Sequence, residues 1–191
     1  MSPMDLLEIL NTAGKLKLVM RHCWIDGKRQ ESTAEHSWRL ALMAMLLKDE
    51  EELSGINMDR VMEMCLIHDL GEAFTGDIPA FEKKDSDTEK ELNLYESWVS
   101  GFPEKQKNHW MNLLREMEAL ETEEAQVYKA LDKLEALITH NESPIETWLP
   151  VEYDLQMTYG RENMKCHPYF ETLRAAVDEW TVRKIEEESK E

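Results

Sequence analysis

The sequence predicts an all-α protein, a compact bundle of six to eight helices. Three observations carry that prediction. Apolar residues recur at helical spacing through nearly every segment. Helix-start signals stand at intervals along the whole chain. All six prolines fall at helix starts or in connections, where a missing N–H is tolerated. No run alternates apolar and polar residues long enough to demand a strand. Size and composition agree, because 191 residues with 42% hydrophobic and 32% charged side chains suit one domain with a real core.

Each element has its own signal. Ser2-Pro3 supplies a cap and a first-position proline for a helix expected to run to about Met20. Asp26-Gly27 is the one pair that could turn a short hairpin. Ser32-x-x-Glu35 is a capping box for a second helix, to about Asp49. Asn57 caps a third, from Met58 to about Leu70, which Gly71 ends. Ser86-x-x-Glu89 opens another, Pro103 and Thr122 start two more, and a last amphipathic helix follows Pro168. The acidic tail from Glu186 reads as a solvated helix end.

The longest apolar run, Leu40 to Leu47, is far short of the roughly 18 residues that a membrane span needs. The opening MSPMDLLEIL has acids where a secretion signal has Lys or Arg. Cys23, Cys65 and Cys166 are widely spaced and include no CxxC, so neither a disulfide frame nor a zinc-thiolate site is indicated. The expected setting is the cytoplasm, without a membrane partner. A net charge of -18 disfavours a nucleic-acid polymer as partner but leaves room for a small phosphorylated ligand in a locally positive pocket. Lys15, Lys17, Arg21, Lys28 and Arg29 share one window with only Asp26 as counter-charge. That window is either a solvated basic face or an attractor for an anion.

The chemistry concentrates in LIHDLGEAFTGD, Leu66 to Asp77. On an ideal helix His68, Asp69 and Glu72 lie at about 0°, 100° and 40°, within one quadrant. Gly71 and Gly76 then let the chain bring Asp77 back to the same place. Three carboxylates so close repel one another unless a cation or shared protons offset their charge. The apolar flanks VMEMCLI and AF suggest burial, which makes a metal the natural resolution. Two distant residues are candidates to complete the shell. His36 shares a face with Leu40, Met43 and Leu47, and Asp132 shares one with Ala125, Tyr128, Ala136 and Thr139. Taken singly, His36 reads as a hydrogen-bonded core histidine and Asp132 as an ion-pair partner of Lys129.

The order His36, then His68-Asp69, then Asp132 resembles the HD superfamily of metal-dependent phosphohydrolases. HDLGEAFTGDIP, from His68 to Pro79, looks like the signature of its 5'-deoxynucleotidase branch, and AEHS at Ala34–Ser37 and ALDKLEA at Ala130–Ala136 are similar to that branch as well. The resemblance implies a single HD domain over residues 1–191, with a metal-site core at about 32–140. It implies His36, His68, Asp69 and Asp132 as ligands of one divalent transition metal. Two imidazoles and two carboxylates suit Mn, Fe, Co, Ni or Zn. Only His109 lies between residues 69 and 132, which favours one ion over two. Glu72 would orient or deprotonate the attacking water, and Asp77 would assist it or protonate the leaving oxygen. Arg21 and Trp24 match residues that contact the phosphate and the deoxyribose, although His22 and Cys23 separate them here. The implied reaction is metal-dependent hydrolysis of (deoxy)ribonucleoside 5'-monophosphates to nucleoside and phosphate, by an enzyme with a homodimer as one open arrangement. Two alternatives stand beside it: an HD phosphohydrolase acting on another phosphorylated nucleotide, or a non-catalytic, metal-stabilised module that binds a nucleotide or a protein.

Overall fold

In the computed structural model, which describes residues 1–188, Ser2 and Asp5 cap each other reciprocally and open α1 (Pro3–Ala13). The Ser2 Oγ accepts from the Asp5 N–H at 3.1 Å, and the Asp5 carboxylate accepts from the Ser2 N–H at 2.6 Å. The helix stops at Ala13, well before the expected Met20. Gly14 begins a 3₁₀ turn to Lys17 that buries Leu16, and Met20 already belongs to a strand. Glycine is a poor helix former, and the following residues gain a backbone ladder in exchange. No residue of α1 is buried, and Leu6, Leu7 and Leu10 are exposed.

The ladder joins β1 (Met20–Ile25) to β2 (Arg29–Ser32) as an antiparallel hairpin. Asp26 and Gly27 both take positive φ, 49° and 70°, the backbone that a tight hairpin turn requires. The register is irregular between Met20 and Trp24, so side chains there depart from strict alternation. Ser32 ends the hairpin and also caps α2 (Thr33–Leu46), with its capping box to Glu35 formed in both directions. Asn57 caps α3 (Met58–Ile67) as expected, but that helix ends three residues early and His68 becomes its C-cap.

A tight turn leads to the single-turn helix α4 (Glu72–Thr75). Next come α5 (Asp85–Ser100), α6 (Glu104–Ala119) and α7 (Glu123–Glu142). Ser86 lies inside α5 and does not cap it; Asp87 accepts from the Lys84 N–H at 3.1 Å, and the acids Asp85 and Asp87 suit the positive end of the helix dipole. Thr122 caps α7 through the Ala125 N–H at 3.2 Å. The chain ends in α8 (Pro150–Thr158), the single turn α9 (Arg161–Met164) and α10 (Pro168–Glu188). Residues Glu186–Glu188 of the acidic tail are the end of α10, and 189–191 lie outside the described residues. Among the described residues eight helices have nine residues or more, the upper end of the expected range. None is long and apolar enough to cross a membrane.

Helix α7 is the axis of the molecule. Helices α2 and α3 lie side by side and both pack on it, α6 and α10 cover it elsewhere, and β1 touches it. Its apolar side chains Val127, Leu131 and Leu134 are buried. Asp132 and Glu135 are buried on the same helix, which is costly unless each finds a partner or an ion.

Candidate metal centre and active site

Three helices deliver the four candidate ligands to one point. His36 sits in the second turn of α2, His68 and Asp69 follow the last turn of α3, and Asp132 faces them from α7. The Nε2 atom of His36 lies 3.2 Å from His68 Nε2, 3.4 Å from Asp132 Oδ1 and 3.7 Å from Asp69 Oδ2. His68 Nε2 is 2.9 Å from Asp69 Oδ2 and 3.8 Å from Asp132 Oδ1. The expected single helical quadrant is not how this comes about. The helix breaks at His68, and the turn through Gly71 carries Asp69 and Glu72 inward. A Cβ at position 71 would come within 2.8 Å of Glu91 Cγ, so any larger residue there would have to displace the Glu91 side chain.

The donor set fits a cation. Both imidazoles are oriented through Nδ1: that of His68 donates to the Cys65 carbonyl at 2.9 Å, and that of His36 binds the Glu135 carboxylate. The two Nε2 atoms are thereby turned toward each other, an arrangement that repels unless positive charge lies between them. Burial and Arg21 push the His36 pKa down, but Glu135 and Asp132 outweigh them and raise it to about 9. Burial likewise works against the charge of Asp69 and Asp132. The histidines hold the Asp69 carboxyl, and Lys133 and Lys129 the Asp132 carboxyl, well below the usual range. Asp132 divides its oxygens: Oδ1 faces the imidazoles, and Oδ2 takes Lys129 at 3.1 Å and Lys133 at 3.3 Å. The ion pair and the inward role therefore coexist.

Glu135 was not a sequence candidate, and its signal was a carboxylate set between Leu134 and Ala136 in the core of α7. It is fully buried and also accepts from Thr139 Oγ1 at 2.7 Å. Glu135→Ala should weaken metal affinity roughly 10–100-fold, the usual effect of losing a partner that orients a ligand histidine, as read by metal titration of the stripped protein.

A cavity of about 500 Å³ opens from this point, and Asp69, Glu72, Asp77, Asp132 and Arg21 all line it. Glu72 is buried, accepts from Thr33 Oγ1 at 2.8 Å, and is pushed up to about 9 by burial and by the charges of Asp69 and Asp77. Burial also raises Asp77, whose carboxyl adjoins that of Glu72. Arg21 is steadied by Glu31, with Nε to Oε2 at 3.1 Å, and reaches Asp69 with Nη1 at 3.7 Å. Trp24 is not among the residues that line the cavity; its carbonyl accepts from Ser143 Oγ at 2.6 Å. The rest of the basic window is spread elsewhere, with Arg29 on Glu35 and Lys15 over the Phe74 ring. The other cations at the cavity are Lys83, Lys84, Lys129 and Lys133. Lys129 and Lys133 were legible only as neighbours of Asp132.

Comparison with known proteins settles the family. The model of the HD domain matches residues 13–174. This chain belongs to the HD-domain family. Two of its HD relatives are 5'-deoxynucleotidases HDDC2. The Homo sapiens protein is 31% identical over 142 residues, covering 72% of this chain and 68% of its own. The Xenopus laevis protein is 33% identical, with 70% of this chain and 67% of its own covered. Among solved structures, a "predicted metal-dependent phosphohydrolase" from Magnetospirillum magnetotacticum MS-1 superposes with a TM-score of 0.80 at 28% identity, covering 95% of both chains.

Proposed function

We propose that this HD protein hydrolyses the phosphate monoester of nucleoside 5'-monophosphates, with a preference for the deoxy series, and releases nucleoside and phosphate. The protein is a metal-dependent phosphohydrolase. The observation that carries the reading is that His36 and His68 meet Asp69 and Asp132, and that these two carboxylates line a cavity together with Glu72, Asp77 and Arg21. We assign the first four as ligands of one divalent transition ion, in a single domain whose metal-site core spans about residues 32–140. A bound ion supplies Lewis acidity toward a phosphoryl oxygen and toward water.

The chain's own residues do the rest. Arg21, steadied by Glu31, presents its guanidinium to the phosphate and offsets its charge. Glu72 orients the attacking water and takes its proton, a role that requires the ionised carboxylate, which a cation held by Asp69 and Asp132 would favour. Asp77, beside Glu72, shares that proton and passes it toward the leaving 5'-oxygen. The Thr33 hydroxyl fixes the Glu72 carboxyl in place.

The test strips the protein with chelator and restores Mn, Co, Ni, Zn and Mg separately, against matched ribo- and deoxyribonucleoside 5'-monophosphates. Stripped protein should release no phosphate, and transition ions should restore release, faster from the deoxy substrates. Metal binding at full occupancy without phosphate release would favour the non-catalytic module. Equal rates on ribo and deoxy substrates would remove the sugar preference alone.

A further inference from the structure

Helix α7 lines the cavity from Asp132 to His140, eight residues or about 12 Å along its axis. That span matches the reach of a nucleoside 5'-monophosphate from its phosphate to the far edge of its base. At the His140 end the cavity is closed by His22 from β1, by Phe81, and by Glu152 and Gln156 from α8. None of these serves the chemistry assigned above.

Glu152 is the unusual member. It is only 6% exposed, and no Lys or Arg among the described residues pairs with it. Its Oε2 accepts from the Leu149 N–H at 2.5 Å and so caps α8. Its Oε1 lies 3.1 Å from His22 Nε2, and His140 Nε2 stands 3.7 Å from its Oε2. Neither imidazole Nε2 makes a hydrogen bond, although both atoms are buried and His140 is only 7% exposed. Buried polar atoms nearly always find a partner, so unpaired ones in a cavity wall mark where a ligand's polar atoms belong. The wall is also held rigid. His140 stacks on Trp148 at 4.4 Å and 27°, and the Trp148 indole N–H donates to the His140 carbonyl at 3.1 Å. Burial and the neighbouring His22 and Lys184 push His140 down to about 4, so the ring is neutral. Phe81 meets His22 edge-on at 5.7 Å and offers an apolar surface for a base.

We infer that Glu152, with His22 and His140, reads the edge of the nucleotide base and favours bases that carry an exocyclic amino group over thymine and uracil. This rests on the nucleotide reading above. A carboxylate accepts from the amino group of adenine, cytosine or guanine. Opposite the 4-carbonyl of thymine or uracil it meets lone pairs instead, a repulsive element that confers selectivity. The capping role of Glu152 occupies Oε2 alone; Oε1 faces His22 Nε2, and neither imidazole Nε2 makes a hydrogen bond.

The experiment measures kcat/KM for the 5'-monophosphates of deoxyadenosine, deoxycytidine, deoxyguanosine, thymidine and deoxyuridine on the metal-loaded enzyme. The free deoxynucleosides are titrated in parallel by calorimetry. The wild type should favour the amino bases about tenfold, the worth of one hydrogen bond to a charged group. Glu152→Gln keeps a carbonyl to cap Leu149, and His22→Phe keeps a ring in the wall. Both should shrink the preference to within about threefold, with the change falling on KM. A wild type that treats amino and carbonyl bases alike overturns the inference, as does a preference that neither variant moves. An amino preference in nucleoside binding that Glu152→Gln abolishes, without phosphate release from any substrate, would sustain the subsite and overturn the reaction.

Discussion

His68→Ala and Asp69→Ala are each expected to lose bound metal and to reduce phosphate release by at least about three orders of magnitude, since the ion supplies several kcal/mol and each 1.36 kcal/mol is tenfold. His68 is the cleaner of the two. Its Nδ1 bonds only the Cys65 carbonyl, and the Asp69 carboxylate that faces its Nε2 keeps Arg21 and His36 beside it. Asp69→Ala also frees Arg21, which faces it at 3.7 Å. His36→Ala would be harder to read, because it leaves Glu135 buried without its imidazole partner. Elemental analysis beside a phosphate-release assay decides the matter, with circular dichroism to confirm that each variant folds. Stoichiometric metal in His68→Ala would remove His68 from the ligand set.

The parts of this protein legible in its sequence are those set by local rules. The Ser2 and Ser32 caps, the Asn57 and Thr122 caps and the Asp26-Gly27 turn each depend on a few adjacent residues, and the structure forms all of them. The convergence of His36, His68, Asp69 and Asp132 was legible through the resemblance of their order to the HD superfamily. What was not legible depends on which surfaces meet. The helix expected to reach about Met20 ends at Ala13, and pairing with β2 makes Met20–Ile25 a strand.

Arg21 and Trp24, which the resemblance set beside the phosphate and the sugar, both lie on β1. The ladder is irregular between Met20 and Trp24, so the sides these two residues take are not set by simple alternation. Arg21 lines the cavity and Trp24 does not. Glu135 and Glu152 escaped notice for another reason. A charged residue on an amphipathic helix is ordinarily solvated, and nothing in its spacing tells that a cavity or an imidazole will face it.

Glu72→Gln separates catalysis from metal binding. The variant should hold metal at wild-type occupancy and lose roughly 10²–10⁴-fold in turnover, the usual contribution of a positioned acid or base. The amide keeps the shape and can still accept from Thr33 Oγ1, so folding is not at risk. The stability of the metal-free protein adds an independent reading. Burial and the charges of Asp69 and Asp77 raise Glu72 from 4.5 to about 9, so the folded chain keeps a proton that the unfolded chain releases. A raised carboxyl contributes stability that is fully present below about pH 4.5 and declines as pH rises toward 9. Glutamine has no proton to lose. Metal-free Glu72→Gln should therefore gain in Tm over metal-free wild type as pH rises from 5 to about 9, while its activity with metal stays low. A variant that retains full turnover would end the assignment of Glu72 as the base. A Tm difference flat with pH would mean that burial, Asp69 and Asp77 do not raise Glu72 as its surroundings imply. Low activity joined to rising relative stability is what a carboxylate retained for its chemistry, at a cost to the fold, should give.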